Sequence, residues 1–232
     1  MEKRLTGQSH ARDLPIHELD VFGNLGAHPY AYQIRGIDPR TAHPFHTYDG
    51  TMRQPEVVAD TLDSCAGQVR DVVEKLASRP QRYLLTGVGG SYHACLVGAQ
   101  FLCGVAGVEA EALESYEWLN SPWARDLSNT VVIAYSASGK TKETLTVLSR
   151  ARSRGAWCLG ITNRPCSLLQ ELCHATLVAA GGGGYVFDYS SRSAVTLLLA
   201  VELARPLGGP DDTLVPVQQA LDTLPTVLEQ AL

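Results

Sequence analysis

The stretch RYLLTGVGGSYHACLVGAQFLCGV (82–105) decides how the rest of the chain reads. Its opening, RYLLTG, is too short for a helix and closes on Gly87, and a helical pattern runs from about Tyr92 to Val105. A strand, a glycine turn and a helix in that order begin a parallel crossover unit. The pattern recurs downstream at VEAEAL (108–113), TVVIAYS (130–136), AWCLGIT (156–162) and ATLVAA (175–180), with helical stretches between most of these runs. Short apolar strands alternating with helices predict an α/β fold: a doubly wound, five-stranded, mainly parallel sheet with helices on both faces.

Outward from this block, residues 54–78 carry Val58, Leu62, Cys65, Val69, Val72 and Leu76 at helical spacing, with Pro55 at a first turn. Residues 1–54 show no sustained period and read as an N-terminal arm. His43 and His46 flank Pro44, which prevents a regular helical face, so packing against aromatic groups is the expected role and metal binding is not. Residues 190–204 read as a buried helix. GGPDD (208–212) marks a break, and the segment 206–232 reads as a tail whose last stretch is helical apart from its two prolines. The predicted division is therefore arm 1–54, globular unit 55–205 and tail 206–232.

Composition narrows the function. The chain has 232 residues, 45% of them hydrophobic, enough for a full core and too many for a disordered protein. With 24 acidic against 19 basic residues, it lacks the positive field that nucleic-acid binding needs. No apolar run approaches the roughly 20 residues of a membrane span. The N-terminus has no apolar segment behind its basic residues, so a cytoplasmic location is expected. The six cysteines form no C-x-x-C pair and read as small hydrophobes, with no metal or disulfide implied.

Two turns carry chemistry. TGVGGSYHA (86–94) places glycines, then Ser91, at the start of a helix, and YSASGKTKET (135–144) places Ser136, Ser138 and Thr141 ahead of another. Helix N-termini with small hydroxyl donors suit a phosphate or a polyhydroxyl ligand. A dinucleotide fingerprint finds Gly87 and Gly89 but meets Tyr92 where the third glycine belongs. A P-loop finds Gly139-Lys140-Thr141 but has Ala134 at its first glycine. Ordinary tight turns would explain the glycines, but not two serine-rich turns. No cofactor follows from any of these motifs.

TGVGGSYHACLVGAQFLCGVAGVEAE, VVIAYSASGKTKETL, LGITNRPCSLLQELCHATLVAAGG and SSRSAVTLLLAVELA together resemble the sugar isomerase (SIS) domain. The nearest pattern is the first SIS domain in the isomerase half of glucosamine-6-phosphate synthase and its tandem-SIS relatives. The resemblance covers about residues 54–204. It implies a phosphorylated sugar as ligand, with Ser91, Ser136, Ser138 and Thr141 holding the phosphate and Gly89, Gly90 and Gly139 shaping the loops. It also implies a phosphosugar enzyme, an aldose–ketose isomerase or an amino-sugar-phosphate isomerase or deaminase, working by enediol-type proton transfer. A regulatory module that binds the sugar phosphate without turnover is the alternative.

Departures from the family pattern bear on chemistry. The common S-Q-S-G-E-T has Ala137 and Lys140 here. Gly183 falls near an acidic position, and Arg192 replaces the lysine of S-T-K. Glu2 stands where glutamine-dependent amino transfer needs a cysteine. In tandem-SIS relatives the acid/base groups come from a second domain or tail, so a homodimer or a partner SIS chain is expected to complete the cleft. Within this chain the candidate catalytic groups are Glu117, after the second strand; Glu143, in the first turn of the helix behind the serine-rich loop; and His93, on a helix that reads as buried. Capping accounts for Glu143, a structural role for Glu117 and packing for His93 at least as readily, and His174 is equally ambiguous.

Overall fold

The computed structural model describes residues 42–44, 46–76, 82–121, 126–181 and 187–232. Most of the predicted arm, and the Gly183 position, lie outside these residues. Two helices precede the sheet: α1 (His46–Met52), within the segment read as aperiodic, and α2 (Gln54–Leu76). Then come β1 (Arg82–Gly87), α3 (Gly90–Gly104), β2 (Glu109–Glu114), α4 (Ser115–Asn120) and β3 (Thr130–Tyr135). The remainder is α5 (Lys142–Arg152), β4 (Trp157–Thr162), α6 (Leu168–Leu172), β5 (Ala175–Val178), α7 (Phe187–Ala204) and α8 (Asp211–Ala231).

All five strands are parallel, in the order β2-β1-β3-β4-β5. Alternate side chains of each strand enter different cores, as a sheet covered on both faces requires. Tyr83, Leu85, Val131, Ile133, Tyr135, Leu159 and Ile161 pack with α2, α3 and α7. Leu84, Val132, Ala134 and Cys158 pack with Trp118 of α4, Leu145 and Leu148 of α5 and Leu169 of α6. The expected doubly wound α/β architecture is what forms.

Both sheet edges are protected. Along β5, Gln68 Oε1 and Thr61 Oγ1 of α2 accept the backbone N–H groups of Val178 and Ala180, each at 3.0 Å. At the other edge, Glu109 and Glu111 of β2 pair with Arg82 of β1. The tail departs from expectation. α8 runs unbroken through Pro216 and Pro225, held by buried Leu214 and Leu221, which join the core on the α2–α7 side. Each proline removes one intrahelical hydrogen bond, but most of α8 is exposed, so water can satisfy the freed carbonyls. Among the described residues no helix is long and apolar enough to cross a membrane.

Candidate functional site

The order β2-β1-β3 makes the chain wind outward in opposite directions from β1 and β3, which places a topological switch point between their carboxyl ends. Thr86 pairs with Ala134, so both strands end at the same level. The two serine-rich turns, remote in sequence, therefore leave the sheet side by side.

In the first turn Gly89 has φ +57°, a conformation that glycine adopts without strain, and it precedes α3 with no side-chain cap. Gly89 and Gly90 are exposed and Ser91 is half-buried. In the second turn Ser136 is buried and its Oγ lies 2.9 Å from Thr141 Oγ1. Thr141 occupies the N-cap position of α5, yet its hydroxyl turns back to Ser136 and caps nothing. Ser138 Oγ accepts the Lys140 N–H at 3.3 Å. Gly139, φ +64°, is pressed against Ser167: a Cβ there would stand 2.3 Å from both Ser167 Cβ and Oγ. The loop is also fastened to the end of β4, because Asn163 N–H and Thr162 Oγ1 both donate to Ala137 O.

Helices α3 and α5 thus present N-termini without side-chain caps to the switch point. By contrast α4 starts on Glu114, whose carboxylate accepts the Tyr116 N–H at 2.6 Å. An uncapped helix start with glycine and hydroxyl neighbours is an anion-binding arrangement.

The candidate catalytic residues are dispersed around this cleft. Glu143 is half-buried in the first turn of α5, beside the Tyr116 hydroxyl; its negative charge, foremost, and its hydrogen bond raise the Tyr116 pKa. Glu117 is exposed on α4. His93 is exposed as well, not packed as its helix pattern suggests, because it lies on the solvent side of α3. His174 is at the opposite end of the sheet, where its Nδ1 accepts the Cys158 N–H at 2.9 Å and its ring stacks on Trp157. That role is structural. His43 meets Tyr48 edge-on, and both residues are exposed.

Three features had no counterpart in the sequence-derived candidates. Arg192 of α7, only 3% exposed, donates from Nη1 to Ser91 Oγ at 3.3 Å. The sequence marked it only as the arginine standing where the family pattern has lysine. Thr86, Ser115 and Thr144, all fully buried, form a hydroxyl chain from β1 through α4 to α5, at 3.0 and 3.2 Å. Asn163, 3% exposed, donates to Ala180 O at 2.7 Å and to Ser191 Oγ at 3.0 Å, which ties β4 to α7. A cavity of about 140 Å³ lined by Trp118, Leu127, Arg150 and Arg154 opens at the far end of α5 from Thr141, away from these groups.

A switch point flanked by these two turns is matched by a family model: the SIS domain model fits residues 75–203. The chain belongs to the SIS domain family. It is 29% identical over 204 residues to the isomerizing glutamine–fructose-6-phosphate aminotransferase of Thermococcus kodakarensis, an alignment covering 83% of this chain and 33% of that protein. The chain thus spans about a third of the length of the curated relatives it matches. The C-terminal domain of glucosamine-fructose-6-phosphate aminotransferase from Francisella tularensis superposes with TM-score 0.69 at 16% identity, over 82% of this chain and 56% of that one. The NanR protein of Vibrio vulnificus, solved in complex with ManNAc-6P, superposes with TM-score 0.55 at 22% identity, over 77% of this chain and 69% of that one. At such identities the superpositions establish the SIS fold.

Proposed function

We propose that the switch-point cleft binds the phosphate of a phosphorylated sugar through the Ser91, Ser136, Ser138 and Thr141 hydroxyls, with Gly89, Gly90 and Gly139 letting the backbone approach it. The observation that carries this is the pair of adjacent helix N-termini, α3 and α5, left without side-chain caps between β1 and β3. The structural relative solved with the phosphosugar ManNAc-6P supports the ligand class.

The activity we assign is phosphosugar isomerisation, aldose–ketose or amino-sugar. A base removes the proton from the carbon beside the carbonyl while the carbonyl oxygen gains one, giving an enediol; the other enediol hydroxyl then gives up its proton to become the new carbonyl as a proton is delivered to the former carbonyl carbon. Glu143, two residues past Thr141, is the candidate base. Glu117 and His93, both exposed, would need a second chain over them to act in a water-excluded site, so the active form is a homodimer or a pair with a partner SIS chain. The globular unit runs over 55–205 between the arm 1–54 and the tail 206–232, because α2 supplies the groups that close β5. A cytoplasmic protein fits the substrate. The second proposal, a regulatory module that binds without turnover, is favoured by the solvent exposure of Glu117 and His93.

The test is thermal unfolding against hexose, pentose, heptose and amino-sugar phosphates, with ATP and NAD as controls. A ligand at 100 times its dissociation constant adds about 2.7 kcal/mol, or roughly 5 to 11 °C for a chain of this size. Stabilisation by ATP or NAD alone would overturn the assignment. Solvent-deuterium incorporation into a bound sugar phosphate then separates isomerase from regulatory module.

A further inference from the structure

Arg192 sits where a cation is least at home. Its side chain is 3% exposed, and its Nη1 lies 3.3 Å from the Oγ of Ser91, the second residue of α3. Its positive charge reaches Cys95 one turn further along α3 and the Tyr135 ring at the end of β3. The guanidinium therefore lies under the N-terminal turn of α3. That end of a helix carries partial positive charge and favours anions. Burying a cation costs solvation free energy, and placing it at the positive end of a helix adds repulsion. An anion at that end is attracted both by the guanidinium and by the helix.

The contact also settles the direction of a hydroxyl. A serine hydroxyl has one hydrogen to give and two lone pairs to accept with. Arginine only donates, so Ser91 Oγ accepts from Arg192, and the Ser91 hydrogen remains available to a second acceptor. Accepting from a cation polarises the O–H bond and strengthens it as a donor.

We propose that Arg192 is a positioning residue of the switch-point cleft, acting through Ser91 to direct its O–H toward the ligand and to select a doubly charged phosphate over a singly charged or neutral group. The proposal rests on the sugar-phosphate assignment above. It adds what that assignment lacks: a charge reaching one of the two loops from a helix 101 residues away.

The experiment is calorimetric titration of the full chain, between pH 5.5 and 8, with the sugar phosphate that stabilises it most and with inorganic phosphate. A phosphate monoester takes its second charge near pH 6. For the wild-type chain, affinity should rise through that range. Arg192→Met should weaken binding by about 10-fold or more at pH 8, as expected for a charge-assisted contact, and flatten the pH dependence. Arg192→Lys should keep the pH dependence while losing part of the affinity, because lysine keeps the charge without the planar fork. Ser91→Ala should weaken binding in the wild-type background and have little further effect with Arg192→Met. A merely structural arginine would lower the unfolding midpoint without changing the pH profile. If Arg192→Met does not fold, Arg192→Lys and Ser91→Ala still decide: losses of affinity that add in the double variant overturn the proposal, and losses that overlap support it. Binding by wild type with the same profile in Arg192→Met overturns the role of Arg192 alone; no binding of any sugar phosphate by wild type overturns the ligand assignment with it.

Discussion

Ser136 Oγ and Thr141 Oγ1 hydrogen-bond each other at 2.9 Å, so the first and last hydroxyls of the turn after β3 act as one unit. One of the two must donate inward, and only one hydrogen of the pair is left for a ligand. Ser138 differs: its Oγ accepts the Lys140 N–H and keeps its own hydrogen. Ser138→Ala should therefore weaken sugar-phosphate binding by about 1.5 to 3 kcal/mol, roughly 10- to 150-fold, the value of a hydrogen bond to a charged acceptor. The unfolding midpoint should hardly move, since Ser138 is only half-buried. Titration calorimetry with unchanged affinity would remove Ser138 from the site. Ser136→Ala and Thr141→Val should be non-additive, because either one breaks the same bond.

Gly139 should resist substitution for two separable reasons. Its φ of +64° costs any L-residue about 1 to 2 kcal/mol, and its Cβ would collide with Ser167. Overpacking of that kind adds about 1 to 3 kcal/mol. In urea unfolding Gly139→Ala should lose the sum, and adding Ser167→Gly should recover only the steric part. Full recovery would show that the backbone angle carries no strain.

The strand positions are legible because each strand is a short apolar run bounded by a turn: β1 forms at 82–87 as read, and β2, β3, β4 and β5 fall within the predicted runs or one residue beyond them. Strand order is not. Periodicity shows which face of Leu84 or Val132 is covered, but nothing local to β1 says that β3 is its neighbour. The Arg192–Ser91 and Tyr116–Glu143 contacts are hidden for the same reason, since each joins elements remote in sequence. The local rule fails at the prolines of α8 because it counts the lost hydrogen bond and not the anchoring of Leu214 and Leu221. It fails at His93 because the apolar character of α3 as a whole says little about one position facing solvent.

The hydroxyl chain Thr86–Ser115–Thr144 should hold the site's elements in register. Ser115 is its centre, bonded on both sides and fully buried. Ser115→Ala leaves two buried hydroxyls short of a partner, and each such loss costs about 1 to 3 kcal/mol. A loss of that order in chemical denaturation is the expected result, whereas Thr86→Val or Thr144→Val should each cost less. A neutral Ser115→Ala would mean that water replaces the missing oxygen.

Alkali should destabilise the chain before any exposed group explains it. Burial pushes the Cys65 thiol up to about 11 and the Cys158 thiol up to about 12, and it holds the Tyr83 and Tyr135 phenols well above their usual range. In the unfolded chain thiols ionise near pH 8.5 and phenols near 10. Between the unfolded and folded values the native state binds more protons than the unfolded state, so stability falls as pH rises. Each group contributes a slope of at most about 1.4 kcal/mol per pH unit across its window. Urea midpoints should therefore be flat below pH 8, decline from about pH 9 as the thiols enter their window, and decline more steeply above 10 as the phenols join them. Burial also holds the Cys95 thiol well above its usual range, so Cys65→Ala, Cys95→Ala and Cys158→Ala together should remove the first part of that decline and leave the second. A midpoint level to pH 10 in the unsubstituted chain would show that these thiols ionise in the folded protein as they do in the unfolded one, against the burial of Cys65 and Cys95 in one core and of Cys158 in the other.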